Sequence, residues 1–269
     1  GMRQASNGKL YGVTYKSFYE FDPSNNSIAA KFDWSNTLGA FPIAAPVEAP
    51  NGKIYGVTSN SGAFSAGTIY EYDPIGMTVT VKVNLTPSDA TNSIATMNLA
   101  SNNKFYFNSS FGGGFGTIIE YVPGATSATK KYTFTGGTSG NVPYNGMTLA
   151  PNGLLYGVTS QGGVFGSGGT LFQYDPTNDV TKIIYSFHNE TGSFVGAPLA
   201  VLPNGKLYGI TIAGGTDNTG VLYSFDPATN QYKPEVLFGS SRGGLTPSGP
   251  LVTSNNKLYG TSAGGNGGL

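Results

Sequence analysis

The chain of 269 residues has no cysteine, one histidine and few charged side chains, which make up 10% of it. The absence of cysteine excludes disulfides, thiol nucleophiles and cysteine-ligated zinc, and a single imidazole, His188, excludes a cluster of histidine ligands. Its 14 basic residues balance 14 acidic ones. The chain therefore lacks the positive field that attracts nucleic acid, and we expect no nucleic-acid partner.

Long apolar runs are also missing. No stretch approaches the roughly 18 apolar residues that a membrane-spanning helix needs, so we expect no membrane insertion in this segment. The first residues lack the apolar core of a signal peptide, and Gly1 before Met2 is interpreted as a cloning remnant. Whether a targeting segment was removed is left open.

Glycine and aromatic residues are abundant instead. The chain has 41 glycines and 16 prolines, yet 38% of its residues are hydrophobic and 13% are aromatic. A disordered chain is poor in aromatic residues, so this composition favours a globular protein that is rich in turns.

A repeat of about 50 residues organises the whole chain. Variants of the segment GKLYGVT recur six times, and the first five are followed by an aromatic run that closes on a turn, as in IYEYDP and LFQYDP. The tyrosines of the six segments are Tyr11, Tyr55, Tyr106, Tyr156, Tyr208 and Tyr259. The repeats cover approximately residues 2–40, 41–91, 92–142, 143–194, 195–245 and, in part, 246–269.

Each unit reads as four antiparallel strands. In the fifth unit, apolar and polar residues alternate in short runs, which predicts strands near 199–202, 206–212, 221–225 and 232–238. Asn-Gly and Asp-Pro pairs mark the turns between them. A four-stranded sheet repeated at this period with two apolar faces is typical of an all-β β-propeller.

The number of blades follows less directly. Five units are complete, whereas the sixth contains only its first two strands. We predict one propeller domain over residues 1–269 with six blades, the last incomplete, or a truncated part of a longer reading frame. A five-bladed ring with an extra hairpin is the alternative.

The motif GKLYGVT, the Gly-Gly loop and the aromatic strand ending in Asp-Pro resemble the GloVer-type tandem repeat of bacterial surface and secreted proteins. The closest copy contains Tyr156-Gly157, Gly162-Gly163 and Tyr174-Asp175-Pro176, whereas unit three departs with Phe107 and Val122. The four-strand logic is also similar to kelch and NHL propellers. The resemblance implies a propeller in an extracellular, cell-surface or periplasmic location, and it implies no catalytic residue.

Function is expected on the loops that follow the second and fourth strands, because these are long and vary between units. Loop-tip phenylalanines, including Phe64, Phe111, Phe115 and Phe165, either pack on a neighbouring blade or form an aromatic platform for sugar rings. Polar or aromatic residues that break the repeat give the predicted ligand-binding set: Trp34, Tyr144, His188, Glu190, Asp217 and Arg242.

Repeated charges are interpreted as scaffold. Aspartates of the Asp-Pro turns are expected to form those turns, and lysines such as Lys9 and Lys53 to be solvated stems. Glu48 stands where four of six units have Leu or Val. It is interpreted as a channel-lining carboxylate near Gln4 and Arg3, or as a sign of a one-residue shift.

These observations favour a non-catalytic binding or display module that recognises a glycan or a surface protein. The alternative is a propeller lyase or glycoside hydrolase that uses loop or channel carboxylates, such as Glu48 with Glu190, and a third is a structural spacer. We expect no cofactor. Asp217 and Asn218 give only a weak calcium signal, because the acidic spacing of known calcium loops is missing.

Overall fold

The computed structural model describes residues 1–91, 96–195, 197–239 and 246–263, without the side chains of Tyr144, Asn145 and Ser248. Within these ranges the chain is built from strands, and its helical segments are two short 3-10 turns, Gly112–Gly114 and Gly137–Ser139. No helix in the described part of the chain has the length and apolar character needed to cross a membrane. The contacts divide the chain into two compact units, residues 1–133 and 134–269.

The first unit contains three four-stranded antiparallel sheets. The first sheet contains β1 (Met2–Gln4), β2 (Leu10–Val13), β3 (Ser17–Asp22) and β4 (Ser27–Asp33). The second contains β5 (Val47–Glu48), β6 (Ile54–Val57), β7 (Thr68–Asp73) and β8 (Thr78–Asn84). The third contains β9 (Asn98–Leu99), β10 (Phe105–Ser109), β11 (Thr117–Tyr121) and β12 (Ala128–Thr133).

The second unit contains one four-stranded sheet, one five-stranded sheet and a hairpin. The fourth sheet contains β13 (Asn141–Leu149), β14 (Leu155–Gln161), β15 (Thr170–Asp175) and β16 (Val180–Ser186). The fifth contains β17 (Ser193–Val195), β18 (Ala200–Val201), β19 (Leu207–Ala213), β20 (Val221–Asp226) and β21 (Gln231–Leu237). The hairpin contains β22 (Pro247–Ser254) and β23 (Lys257–Ser262).

The sheets confirm the predicted class, an all-β fold of four-stranded antiparallel propeller blades. Consecutive strands are hydrogen-bonded neighbours in each sheet, except that β17 and β18 both pair with β19. The predicted strands of the fifth unit match β18 to β21 within one or two residues. One element was not predicted: β17 lies in the expected loop and pairs with β19. The number of blades and the single domain remain predictions.

A bulge recurs between the third and fourth strands of all five complete sheets. In the second sheet, Ile69 pairs with Val83 and Tyr70 with Val81, so Lys82 is the extra residue on β8. The register shifts at the same place in the other sheets. A bulge redirects the side chain of the extra residue. The fourth strand of each of these sheets therefore has one side chain that departs from the regular alternation between the two faces.

Glycine in the second strand makes room for an aromatic ring on the third. Gly56 pairs with Tyr70, and a Cβ at Gly56 would lie 2.3 Å from the Tyr70 hydroxyl oxygen. Gly12, Gly157 and Gly209 face Tyr19, Phe172 and Tyr223 in the same way. In the third sheet the aromatic ring is on the second strand instead, where Phe107 pairs with the smaller Ile119 on the third strand. This exchange explains why unit three has Phe107 where the other units have glycine.

Neighbouring sheets within each unit bury their aromatic faces against one another. In the first unit, the Tyr55 ring lies between β10 and β11, with its centroid 5.4 Å from Phe105 and 5.8 Å from Tyr121. In the second unit, Tyr156 packs 6.1 Å from Phe225. Burying rings of this size supplies the largest share of stability in such a core.

We predict that Tyr156→Ala lowers the free energy of unfolding by about 3 kcal/mol, because it leaves a cavity in the core. Tyr156 is 1% exposed. The matched control is Tyr259→Ala, at the equivalent position of the hairpin, where the side chain is 53% exposed and a surface substitution costs about 0.5 kcal/mol or less. Urea unfolding measures both variants, and equal losses would contradict the burial.

The glycine–aromatic pair gives a second prediction. Gly56→Phe alone should destabilise the chain by about 1–3 kcal/mol, because the new ring overlaps Tyr70. Adding Tyr70→Ile recreates the pair found in the third sheet and should recover most of that loss. Thermal unfolding of the single and double variants measures the coupling, and additive losses would show that the two positions do not share one space.

Candidate functional site

A polar network recurs at the end of the sheets where the first strand turns into the second. In the second sheet, the Asn51 amide donates to the Tyr55 hydroxyl at 3.0 Å, and Tyr55 donates to Glu71 at 2.5 Å. The Lys53 ammonium lies 3.2 Å from the other oxygen of Glu71. The hydroxyl of the buried tyrosine thus has both a hydrogen-bond donor and an acceptor as partners.

The same network holds the first and third sheets. Tyr11 donates to Glu20 at 2.9 Å and Tyr106 to Glu120 at 2.7 Å, with Lys9 and Lys104 on the second oxygens. The extra lysine of the bulge joins it in the first sheet, where Lys31 lies 3.1 Å from Glu20. The lysines predicted to be solvated stems are thus, in these sheets, ion-pair partners of nearly buried glutamates.

These contacts shift pKa values. Burial acts to raise the pKa of Glu20, but hydrogen bonds from Lys9, Lys31 and Tyr11 outweigh it and lower that pKa below the ordinary 4.5. Burial and the hydrogen bonds from Tyr106 and Lys104 act in the same two opposed ways on Glu120, whose pKa is also lowered. Burial raises the pKa of Tyr11 and of Tyr55. The folded chain therefore holds these carboxylates ionised and these phenols neutral.

The fourth and fifth sheets keep the hydrogen bond between asparagine and tyrosine but change the charged part of the network. The fourth has Leu154, Gln173 and Ile184 in place of lysine, glutamate and bulge lysine. In the fifth, Ser224 stands at the glutamate position, and its hydroxyl donates a hydrogen bond at 2.7 Å to Glu235, the extra residue of the bulge. Because the network recurs at equivalent positions of several sheets, we assign it to the scaffold.

The repeated aspartates form turns, as predicted. Asp22 accepts the backbone N–H of Ser24 at 2.9 Å, and Asp175 accepts that of Thr177 at 2.8 Å. Asp73 and Asp226 make the same bond two residues on. These are Asx turns, in which the carboxylate holds the backbone two residues on.

Glu48 holds two sheets of the first unit together. Its carboxylate accepts the backbone N–H of Ser6 at 2.7 Å and the Ser6 hydroxyl at 2.6 Å, while Glu48 itself pairs with Ile54. Gln4 donates instead to the Gly8 carbonyl at 3.2 Å. Among the contacts described for Glu48, the partner is therefore Ser6, which explains why a carboxylate is present in this one unit.

The predicted ligand-binding residues do not all share one place. Trp34 is half-buried in the first unit, where its ring lies 4.9 Å from Phe32 and 5.0 Å from Tyr70, and its N–H donates to the Thr14 carbonyl. Asp217 is exposed on the loop that follows β19. Arg242 and the side chain of Tyr144 lie outside the described residues.

Two of the predicted residues, His188 and Glu190, line one cavity in the second unit. The cavity has a volume of about 480 Å³ and is lined by Phe165, Ser167, Gly168, His188, Asn189 and Glu190. The Phe165 ring lies 4.7 Å from the imidazole of His188. The phenylalanine is 61% exposed. An aromatic face with hydroxyl, amide, imidazole and carboxylate groups around it is thus open to solvent.

Backbone geometry explains why these two loops meet. Gly168 approaches so closely that a Cβ there would lie 2.0 Å from the Phe187 carbonyl oxygen. Across the same junction, Phe194 donates its N–H to the Gly168 carbonyl at 3.2 Å. The second loop closes as a turn, in which Thr191 N–H donates to the His188 carbonyl at 3.0 Å. Any side chain at position 168 would therefore separate Phe165 from His188.

A second cavity shares Phe165. It has a volume of about 570 Å³, and Val164, Phe165, Ile183 and Tyr185 give it a largely apolar lining beside Thr138 and Ser139. Phe165 therefore stands between a polar and an apolar depression. The described residues contain no group of three or more histidine, aspartate or glutamate side chains that could hold a metal ion.

Sequence patterns alone did not pair Phe165 with His188. Phe165 is a loop-tip aromatic and His188 breaks the repeat, but they belong to loops about 20 residues apart. The available signal was their position, since one loop follows the second strand and the other follows the fourth strand of the same sheet. Such loops leave from the same end of an antiparallel sheet.

Comparison with known proteins gives one family and several shared folds. A family model described as the Gloeobacter/Verrucomicrobia repeat matches residues 1–168 and again residues 116–269, in agreement with the resemblance read from the sequence. No curated protein sequence matches the chain.

Solved structures with the same fold are distant in sequence. The extracellular domain of the one component system protein BT4673 from B. thetaiotaomicron has a TM-score of 0.63 at 15% identity, over 96% of this chain and 31% of that one. A fungal alcohol oxidase of the AA5 family in complex with copper has a TM-score of 0.60 at 16% sequence identity, over 89% of this chain and 53% of that one. TolB from Acinetobacter baumannii has a TM-score of 0.51 at 20% sequence identity, over 84% of this chain and 51% of that one. The chain thus spans about half of these proteins or less.

The glutamate network predicts acid sensitivity. Because the pKa values of Glu20 and Glu120 are lower in the folded chain, their stabilisation is complete above the unfolded pKa and is lost as the pH falls through the folded one. The double variant Glu20→Gln, Glu120→Gln should be less stable at neutral pH, yet lose less stability on acidification from about pH 6 to about pH 3.

Urea unfolding at several pH values measures that slope. The control is Glu190→Gln, whose side chain is exposed and outside the network, and it should keep the parent's slope. An unchanged slope in the double variant would show that other groups carry the acid sensitivity.

Proposed function

This chain belongs to the Gloeobacter/Verrucomicrobia repeat family, whose model covers it from end to end, and we propose that it is a non-catalytic binding module for glycans. The observation that carries this proposal is the exposed ring of Phe165 beside His188 over a cavity lined by Ser167, Asn189 and Glu190.

Sugar rings suit this arrangement for two reasons. Their C–H faces pack on aromatic rings, and their hydroxyls need donors and acceptors placed around that ring. Phe165 supplies the face, Asn189 supplies both donor and acceptor, and Glu190 supplies an acceptor. The cavity of about 480 Å³ falls in the size range of small-molecule sites.

A binding role accounts for this cavity better than the hydrolase alternative does. Glycoside hydrolases use two carboxyl groups about 5–10 Å apart, whereas the described lining contains one carboxylate, Glu190. Glu48, the other carboxylate considered, already accepts two hydrogen bonds from Ser6.

We place the module outside the cytoplasm, at the cell surface, in the periplasm or secreted. The support is twofold: the resemblance to repeats of surface proteins, and a structural neighbour that is itself an extracellular domain. A surface protein that carries glycans would be bound through the same sugar groups. The spacer alternative would leave the cavity without a role.

A glycan array followed by titration of the tightest ligand tests the proposal. Phe165→Ala should weaken binding by about tenfold, the loss expected when an aromatic anchor is removed, and Glu190→Gln and His188→Ala should weaken it less. The matched control is Phe64→Ala, an exposed phenylalanine on the equivalent loop of the second sheet.

Binding retained by Phe165→Ala, or lost equally in Phe64→Ala, would contradict the site. Circular dichroism of each variant separates loss of binding from loss of folding. An array on which the parent chain binds no glycan would contradict the proposed ligand class.

A further inference from the structure

An apolar depression lies beside the proposed sugar site and shares Phe165 with it. The sugar site is lined by Phe165 and His188 among others, and the apolar depression by Phe165, Val164 and Ile183 among others. All the residues that line the two lie between positions 138 and 190. Both are therefore formed by the fourth sheet and its loops, well inside the sequence.

The side chains of this depression favour an apolar occupant. Val164 is 70% exposed and Phe165 is 61% exposed, while Ile183 and Ile184 are half-buried. The described residues that line it include no charged side chain. Covering such side chains with an apolar group removes apolar surface from water, which is favourable.

Two of the hydroxyl groups that line the depression already have backbone partners. Ser139 accepts the N–H of Thr135 at 3.0 Å and donates to the Gly136 carbonyl at 2.9 Å. Ser186 accepts the N–H of Val164 at 3.2 Å. These hydrogen bonds leave the two hydroxyls less able to hold a ligand hydroxyl, so the depression suits an apolar group better than a second sugar.

This apolar character is a departure of the fourth sheet from the repeat. Its loop is equivalent to that of the second sheet, because Val164 donates its N–H to Ser186 as Ala63 donates to Asn84. The extra residue of the bulge is Lys31, Lys82, Lys131 and Glu235 in the first, second, third and fifth sheets, but Ile184 in the fourth. The fourth sheet thus has a larger apolar residue in the loop than the second sheet, and an uncharged one at the bulge.

We propose that the ligand is a glycan that carries an apolar substituent, with its sugar ring in the polar cavity and its substituent in the apolar depression. This inference rests on the proposed function and names the class of sugar that the same site takes. A single glycosidic oxygen joins a sugar to its substituent, so the two groups are adjacent, as two depressions with a common side chain require. Phe165 then contacts both parts of the ligand.

The depression has room for such a substituent. A closed apolar cavity of about 150 Å³ holds a benzene molecule, whereas this depression has a volume of about 570 Å³. A phenyl group or a short alkyl chain therefore fits without a change in the surrounding loops.

NMR titration of the isotope-labelled whole chain tests the inference, because it measures dissociation constants up to the millimolar range. The probes are the methyl, butyl and phenyl glycosides of glucose, galactose, mannose and N-acetylglucosamine. We expect the phenyl or the butyl glycoside to bind about tenfold more tightly than the methyl glycoside of the same sugar, because part of the substituent leaves water. The larger gain identifies the substituent as aryl or alkyl.

Two substitutions locate the substituent. Val164→Thr and Ile183→Thr keep a β-branched side chain but add a hydroxyl, so each should reduce the tenfold ratio of the two dissociation constants to about threefold or less. The matched control is Val180→Thr, on the same strand as Ile183 and 40% exposed, which should keep the full ratio. The amide spectrum of each variant shows whether it is folded.

Several outcomes would overturn the inference. Equal affinity for the three glycosides of a sugar, with binding lost in Phe165→Ala, would overturn it and leave the proposed function intact, whereas no binding of any glycoside would overturn both. A tenfold ratio that Val164→Thr and Ile183→Thr leave unchanged would place the substituent elsewhere. Benzyl alcohol that binds as tightly as the phenyl glycosides would show that the depression acts without the sugar site.

Discussion

The hydrogen bond between the turn asparagine and the buried tyrosine is the contact on which the repeat depends. In five sheets an asparagine four residues before the tyrosine donates to its hydroxyl, at 2.9–3.3 Å. The same side chain accepts a backbone N–H of the turn two residues on, at 3.0–3.1 Å. One amide therefore closes the turn and lets a polar ring enter the core without an unsatisfied hydroxyl.

Charge is arranged around this contact as a set because a buried ion without its partner is costly. In the first three sheets the tyrosine donates to a glutamate, and a lysine pairs with that glutamate. In the fourth sheet, Gln173 stands at the glutamate position and Leu154 at the lysine position. The fifth sheet keeps a carboxylate but moves it to the bulge, as Glu235. The fourth sheet thus lacks the glutamate–lysine pair at these positions, and its candidate site lies at the opposite end of the same strands.

Local pattern was sufficient to predict the strands, the tyrosines and the Asp-Pro turns, because all of them are set by alternation and turn chemistry within a few residues. It was insufficient for β17, which pairs with residues 211–213 at the end of β19. It also missed the partners of Lys53 and Glu71, although both recur, since cross-strand register decides that they meet. Phe165 and His188 meet through the close approach at Gly168, which composition does not reveal.

The bulge opposite the third strand has a consequence for solubility. A chain with 10% charged residues and many outer strands is at risk of stacking edge to edge into aggregates. An even row of backbone donors and acceptors is what such stacking requires, and one surplus residue in each of the five outermost strands interrupts that row. An irregular edge on each sheet thus disfavours such stacking in a protein that has little electrostatic repulsion to keep its molecules apart.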